Sequence, residues 1–183
     1  MNTKRNLLGT AILLGFLGAA ASPAMTRAAV ETKPMTDAAI AREVTHQIRV
    51  FPFYDIFDLV SGEVNDGVVT LRGAVREPQR YRDYERLAKG VRAVKAVRNE
   101  LEVLPTSIFD DQIRLRVARA VYGTLGPRYA VRALPPVHII VKNGNVRLEG
   151  VVLNQIDKQL AERAARFAAT YFGLENNLRT EKS

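Results

Sequence analysis

Two histidines, His46 and His138, and a loose group of carboxylates, Asp55, Asp58, Glu63 and Asp66, are the side chains of this 183-residue chain suited to acid–base or metal chemistry. Their spacing supports neither. His46 points away from the apolar stripe of its own predicted helix, and His138 has no acidic residue or second histidine beside it in sequence. Each reads as a solvated or hydrogen-bonded imidazole rather than a base or a metal ligand. The four carboxylates lack the alternating ligands, central glycine and closing glutamate of a calcium loop, and are assigned to turns and solvated edges. No glycine-rich phosphate loop, serine elbow or cysteine occurs. The chain is expected to have no catalytic residue, no metal site and no cofactor.

Basic and aromatic side chains offer binding chemistry instead. Arg82, Arg86 and Lys89 recur at i, i+4 and i+7 on one predicted helix, and Arg114, Arg116 and Arg119 gather on another. Two readings stand: solvated faces, or contacts to anionic lipid, where each basic residue near a membrane surface contributes on the order of 1 kcal/mol. Phe51, Phe53, Tyr54 and Phe57 make a connection unusually rich in rings. It is either a loop folded over the core or a contact surface for another part of the chain or for a partner.

The elements that must position these groups come from a segment written twice. Asp66-Gly67 and Asn143-Gly144 are hairpin-turn signals, since both pairs tolerate positive φ. Each is followed by alternation: Val69, Leu71, Gly73 and Val75 on one face, then Val146, Leu148, Gly150 and Val152 in the second copy. Gly73 and Gly150 stand at matching places and are read as the seat of a helix on the sheet. Ahead of each hairpin lies an amphipathic helix, Ile40-Val44-Ile48 and Ile113-Val117-Val121, capped by Thr36 or Asp37 and by Asp110 or Asp111. Behind it lie a helix from Pro78, with Tyr81, Tyr84, Leu87, Ala88 and Val91 along one side, and one from near Asn154, carrying Ile156, Leu160, Ala164, Phe167 and Ala168. A last strand closes each copy. Asn99 and Asn176 interrupt its apolar row, and should bond backbone there. From the hairpin onward the copies align without gaps, Asp66 on Asn143 and Asn99 on Asn176; residues 122–136, rich in glycine and proline, are expected to be irregular.

Each copy therefore reads helix, strand, strand, helix, strand. A right-handed crossover puts both helices on one face of a three-stranded sheet. The fold class is α+β: two tandem α-β-β-α-β domains, residues 35–104 and 110–180, joined by a linker at 105–109. A unit of this size buries only about 60% of its chain surface, so the two are expected to lean on each other.

Ahead of them, Lys4 and Arg5 precede an apolar run from Leu7 to Ala20 and a small-residue exit at Ser22-Pro23-Ala24, the pattern of a secretory signal peptide over residues 1–24. Residues 25–34 form a flexible lead. The run is short for a membrane span, which takes about 20 apolar residues, and retention as an uncleaved anchor is the alternative reading. Cleavage removes two of the 27 basic residues and none of the 19 acidic ones, leaving a net charge of +6. After export that excess faces lipid headgroups and envelope polyanions rather than nucleic acid.

The stretches Gly67–Val75 and Gly90–Val103, together with Val137–Val152 and Leu174–Leu178, resemble the BON domain family, in tandem over nearly all of the chain behind the signal. The second copy departs where Phe167 replaces Gly90, so its second helix is expected to run longer. The resemblance implies a non-enzymatic periplasmic or outer-membrane-associated protein, soluble or peripherally attached. It implies contact with anionic phospholipid surfaces or envelope proteins in support of envelope integrity or stress tolerance. A chaperone-like protein shielding unfolded clients through the 51–57 segment is the alternative.

Overall fold

The structure, a computed structural model, describes residues 35–130 and 136–181, and Pro34–Ser183 fall in one compact unit. The expected signal peptide and flexible lead lie outside the described residues. Chain order is α1 (Asp37–Arg49), β1 (Leu59–Asn65), β2 (Val68–Val75), α2 (Pro78–Lys89) and β3 (Ala96–Val103) in the first repeat. The second repeat has α3 (Ile108–Leu125), α4 (Pro127–Ala130), β4 (Val137–Lys142), β5 (Asn145–Val152), α5 (Gln155–Ala168), β6 (Gly173–Asn176) and β7 (Arg179–Thr180). The α-β-β-α-β order is present twice. In each repeat the hairpin strands pair antiparallel, and the strand after the helix returns parallel to the central one. In the second repeat this last strand is broken, β6 and β7 both pairing with β5 on either side of Asn177-Leu178.

The amphipathic stripes bury as their spacing dictates. Ile40, Val44 and Ile48 close on Val69, Leu71, Val75, Tyr84 and Leu101; Ile113, Val117 and Val121 close on Val137, Ile139, Val146 and Leu148. Thr36 and Ser107 cap α1 and α3, so the cap expected at Asp110 or Asp111 is instead Ser107, three residues before Asp110. The carboxylates freed from capping cross to the hairpin. Asp37 accepts from the Asp66 and Gly67 amides at 2.7 and 2.9 Å, and Asp110 from the Asn143 and Gly144 amides at 2.9 and 2.8 Å.

Three expectations are corrected. Gly73 and Gly150 do not seat a helix: a Cβ on Gly73 would stand 1.9 Å from the Leu59 carbonyl oxygen, and one on Gly150 2.0 Å from that of Pro136. The close backbone belongs to the neighbouring strand, and with φ at +130° and +119° neither position suits an L side chain. Residues 122–136 are not wholly irregular, because α3 runs on to Leu125 and α4 follows, burying Tyr129. Asp58 is not a solvating edge residue. It is buried and accepts from the Tyr84 hydroxyl at 2.7 Å and the Arg76 amide at 2.9 Å. Asn99 behaves as expected, donating to the Tyr81 carbonyl and accepting from the Leu101 amide, and Asn176 does the same with Lys158 and Leu178. The longer second helix is also found, α5 having 14 residues against 12 in α2.

Gly73→Ala is expected to destabilise the chain by about 3 kcal/mol or more, because the added carbon meets backbone rather than a movable side chain. Gly62→Ala, on β1 with nothing closer than 3.7 Å to the added carbon, is the matched control. Urea midpoints of the two variants decide the point.

Candidate functional site

His46 is exposed on α1, while His138 is buried where β4 meets the 51–58 segment of the first repeat. Its Nε2 lies 3.4 Å from the Tyr54 hydroxyl, and the neighbouring Ile139 amide donates to the Ile56 carbonyl at 2.8 Å. The aromatic segment is thus a link between the repeats. Ile56 and Phe57 pack on the second core and Phe51 and Tyr54 on the first. Only Phe53 among the four ring candidates is well exposed, at 58%, and the Arg80 guanidinium lies 4.6 Å from its ring centre. Leu59, Ala74 and Leu104 close over Ile140 in a small joint core, and Glu102 pairs with Lys142. Among the described residues no group of His, Asp and Glu could hold a metal ion.

The basic candidates differ in their partners. Arg114 is removed from any binding surface: it is 1% exposed, donates to the Val141 carbonyl at 2.5 Å and pairs with Asp111 at 2.6 Å, tying α3 to β4. Spacing alone could not show that its guanidinium turns inward. On α2, Arg86 pairs with Asp83 and Lys89 with Glu85, while Arg82 is exposed. Lys89 also belongs to a structural arrangement present in both repeats. Glu85 accepts from Asn99 as Glu162 accepts from Asn176, each glutamate with a basic residue four positions on, which holds both carboxyls below their ordinary value. Arg116 and Arg119 on α3 are exposed and have no acidic partner among the described residues.

Beside those arginines the structure places a surface that the sequence reading missed. On α5 the buried residues are Asp157, Ala161 and Ala165, so the large apolar residues turn outward: Ile156 is 67% exposed and Phe167 79%, with Leu160 between them. Arg163 stands in the same row, exposed and without an acidic partner. α3 packs alongside α5 and presents Leu115. The available signal was the alanine row Ala161-Ala164-Ala165-Ala168, whose small side chains let α5 approach the sheet and leave the bulkier row unburied. The first repeat has no such face. Superposed by the duplication, Leu115, Arg116 and Arg119 fall on Arg42, Glu43 and His46, and Ile156 and Leu160 on Gln79 and Asp83.

The BON domain family model matches residues 36–105 and again residues 110–180. No curated protein matches the chain. Two solved structures of CdsD, a structural protein of the type III secretion system of Chlamydia trachomatis, are similar at 14% identity. One, of its C-terminal domain, covers 80% of this chain and 99% of its own at a TM-score of 0.29; the other covers 75% and 90% at 0.27.

The buried seam has a pH signature. Burial holds the His138 imidazole below its ordinary value, against the opposing pull of the Asp58 backbone and of Asp55, with Arg49 adding to the depression. Tyr54, pushed up to about 12 by its own burial, stays a neutral phenol beside it. Protons then bind the unfolded chain more readily than the native one. This part of the stability is fully present above about pH 6.5 and is lost as pH falls from there toward the depressed native value. Urea unfolding from pH 7.5 downward should show that decline, and His138→Asn should flatten it.

Proposed function

Because the chain belongs to the BON domain family, we propose that it is a non-enzymatic envelope protein that binds anionic phospholipid surfaces through the helix layer of its second repeat. BON domains are associated with phospholipid and envelope binding, and the family is not an enzymatic one. Among the described residues no helix is long and apolar enough to cross a membrane, so attachment through this unit would be peripheral.

One observation carries the reading. Two copies of one fold keep the same turn clamps, strand glycines and asparagine anchors, yet differ on the outward side of their helices. On the first copy's helices Arg86 and Lys89 pair with acids and Arg42, Arg49 and Arg82 stand exposed without one among the described residues, but no exposed large apolar residue lies on α1 or α2 among them. The second copy sets Arg116, Arg119 and Arg163 free of acids among Leu115, Ile156 and Leu160. The fold does not require that difference, since the first copy folds without it. Unpaired cations among exposed apolar side chains match the two forces at a bilayer surface, headgroup charge and interfacial burial.

Co-sedimentation of the Pro34–Ser183 unit with phosphatidylglycerol-containing vesicles is expected, weakening with salt. Replacing Arg116, Arg119 and Arg163 together by glutamine should lower affinity on the order of a hundredfold. The same change at Arg82, Arg86 and Lys89 should have a much smaller effect. Equal binding to neutral and anionic vesicles, or none to either, would refute the proposal.

A further inference from the structure

The hairpin end of the second repeat carries a cluster that the cationic face does not explain. The Asp110 carboxylate fixes the first turn of α3 to the Asn143-Gly144 turn, and the Phe172 amide donates to the Gly144 carbonyl at 2.8 Å. A Cβ on Gly144 would lie 2.8 Å from the Phe172 ring and 3.6 Å from that of Phe109, so the two rings flank the turn. Ile108 begins α3, and Phe167 sits in the last turn of α5, five residues before Phe172. Three of these four are the most exposed large apolar residues described: Phe172 at 84%, Ile108 at 80% and Phe167 at 79%.

The first repeat supplies the control. Its Lys95 amide donates to the Gly67 carbonyl at 2.8 Å, the same bond at the same turn, and a Cβ on Gly67 would meet the Lys95 stem at 3.2 Å. Phe172 therefore occupies the place of a lysine, Phe167 that of Gly90, Ile108 that of Met35 and Phe109 that of Thr36. A turn that folds with a lysine beside it has no structural need of a phenylalanine exposed to water. The cluster is also continuous with the row Ile156, Leu160, Arg163 and Phe167, whose unpaired arginine complements an anionic surface.

We infer that this tip inserts Ile108, Phe167 and Phe172 into the acyl-chain boundary of an anionic bilayer while the arginines hold the headgroups. The inference rests on the proposed lipid binding and adds the depth and orientation of contact: the hairpin end of the second repeat enters the membrane, and the first repeat stays above it. Each inserted ring removes apolar area from water, an effect that headgroup attraction alone does not provide.

The chain has no tryptophan, so Phe172→Trp puts a single reporter at the tip and Lys95→Trp the same reporter at the matching turn of the first repeat. With phosphatidylglycerol vesicles carrying brominated acyl chains, the emission at 172 should shift blue and be quenched, and that at 95 should not. Ile108→Ser combined with Phe172→Ser should weaken vesicle binding about tenfold and leave the urea midpoint in place. Protein that pellets with the vesicles while position 172 stays unquenched overturns the insertion and leaves surface binding standing. Protein that does not pellet at all refutes the lipid reading itself. If the serine variant binds vesicles normally but no longer suppresses aggregation of an unfolded client, the tip is a protein-binding surface and the inference fails.

Discussion

The arrangement depends on one clamp made twice. A tight hairpin with positive φ at both central residues, Asp66-Gly67 and Asn143-Gly144, turns two consecutive backbone amides toward the start of the preceding helix. One aspartate there accepts both. Charge-assisted bonds to two amides fix position and angle together, because a carboxylate presents two oxygens in a plane. With the helix start locked to the turn, its apolar row falls on the sheet. The helix that follows the hairpin must then return to the same end, and its last residues become neighbours of the turn. Everything proposed about the membrane-facing end follows from that convergence.

The two repeats solve a second problem with the same chemistry in reversed places. In the first, Tyr84 on the helix fills the core and its hydroxyl donates to Asp58 in the loop ahead of β1. In the second, the position of Tyr84 is held by Ala161, and the ring comes from the loop side as Tyr129, donating to Asp157 on the helix. The amide just past the central strand is satisfied in both: Arg76 donates to Asp58, Leu153 to the Tyr129 hydroxyl. A buried amide without a partner costs about 1–3 kcal/mol, so each copy must supply an acceptor there, while which element supplies it is free to change. That exchange ties α4, at the start of the α3–β4 connection, to α5 and leaves α5 with an alanine face. The outward turn of its larger residues is a consequence.

Two small units share one further constraint. Each sheet is covered by helices on one face only, and the other face needs a neighbour or water. The first sheet's open face is laced by Arg72 between Glu63 and Glu100, which suits solvent. The second sheet is covered near β4 by Leu59, Ala74 and Leu104, and its edge is met by the Ile56 carbonyl. The ring-rich segment thus serves chiefly to join the halves, and its candidacy as a partner-binding surface reduces to Phe53. The apolar surface that does stand free is elsewhere, on the second repeat.

What the residues by themselves determined is whatever depends on local spacing. Period-two and period-four rows, paired turn signals and a displaced asparagine in each last strand were enough for the α-β-β-α-β order, the duplication and the cores. Those patterns constrain the backbone wherever they occur, so they need no knowledge of what lies across space. Tertiary structure decided what spacing leaves open. It showed that Gly73 and Gly150 face a neighbouring strand, that Arg114 turns inward, that Asp58 is buried, and that α5 seats its alanines and exposes Ile156, Leu160 and Phe167. In each case a residue's type permits two environments. The choice is made by the volume and the hydrogen-bonding groups that a distant segment brings against it, and these exist only once the chain has folded.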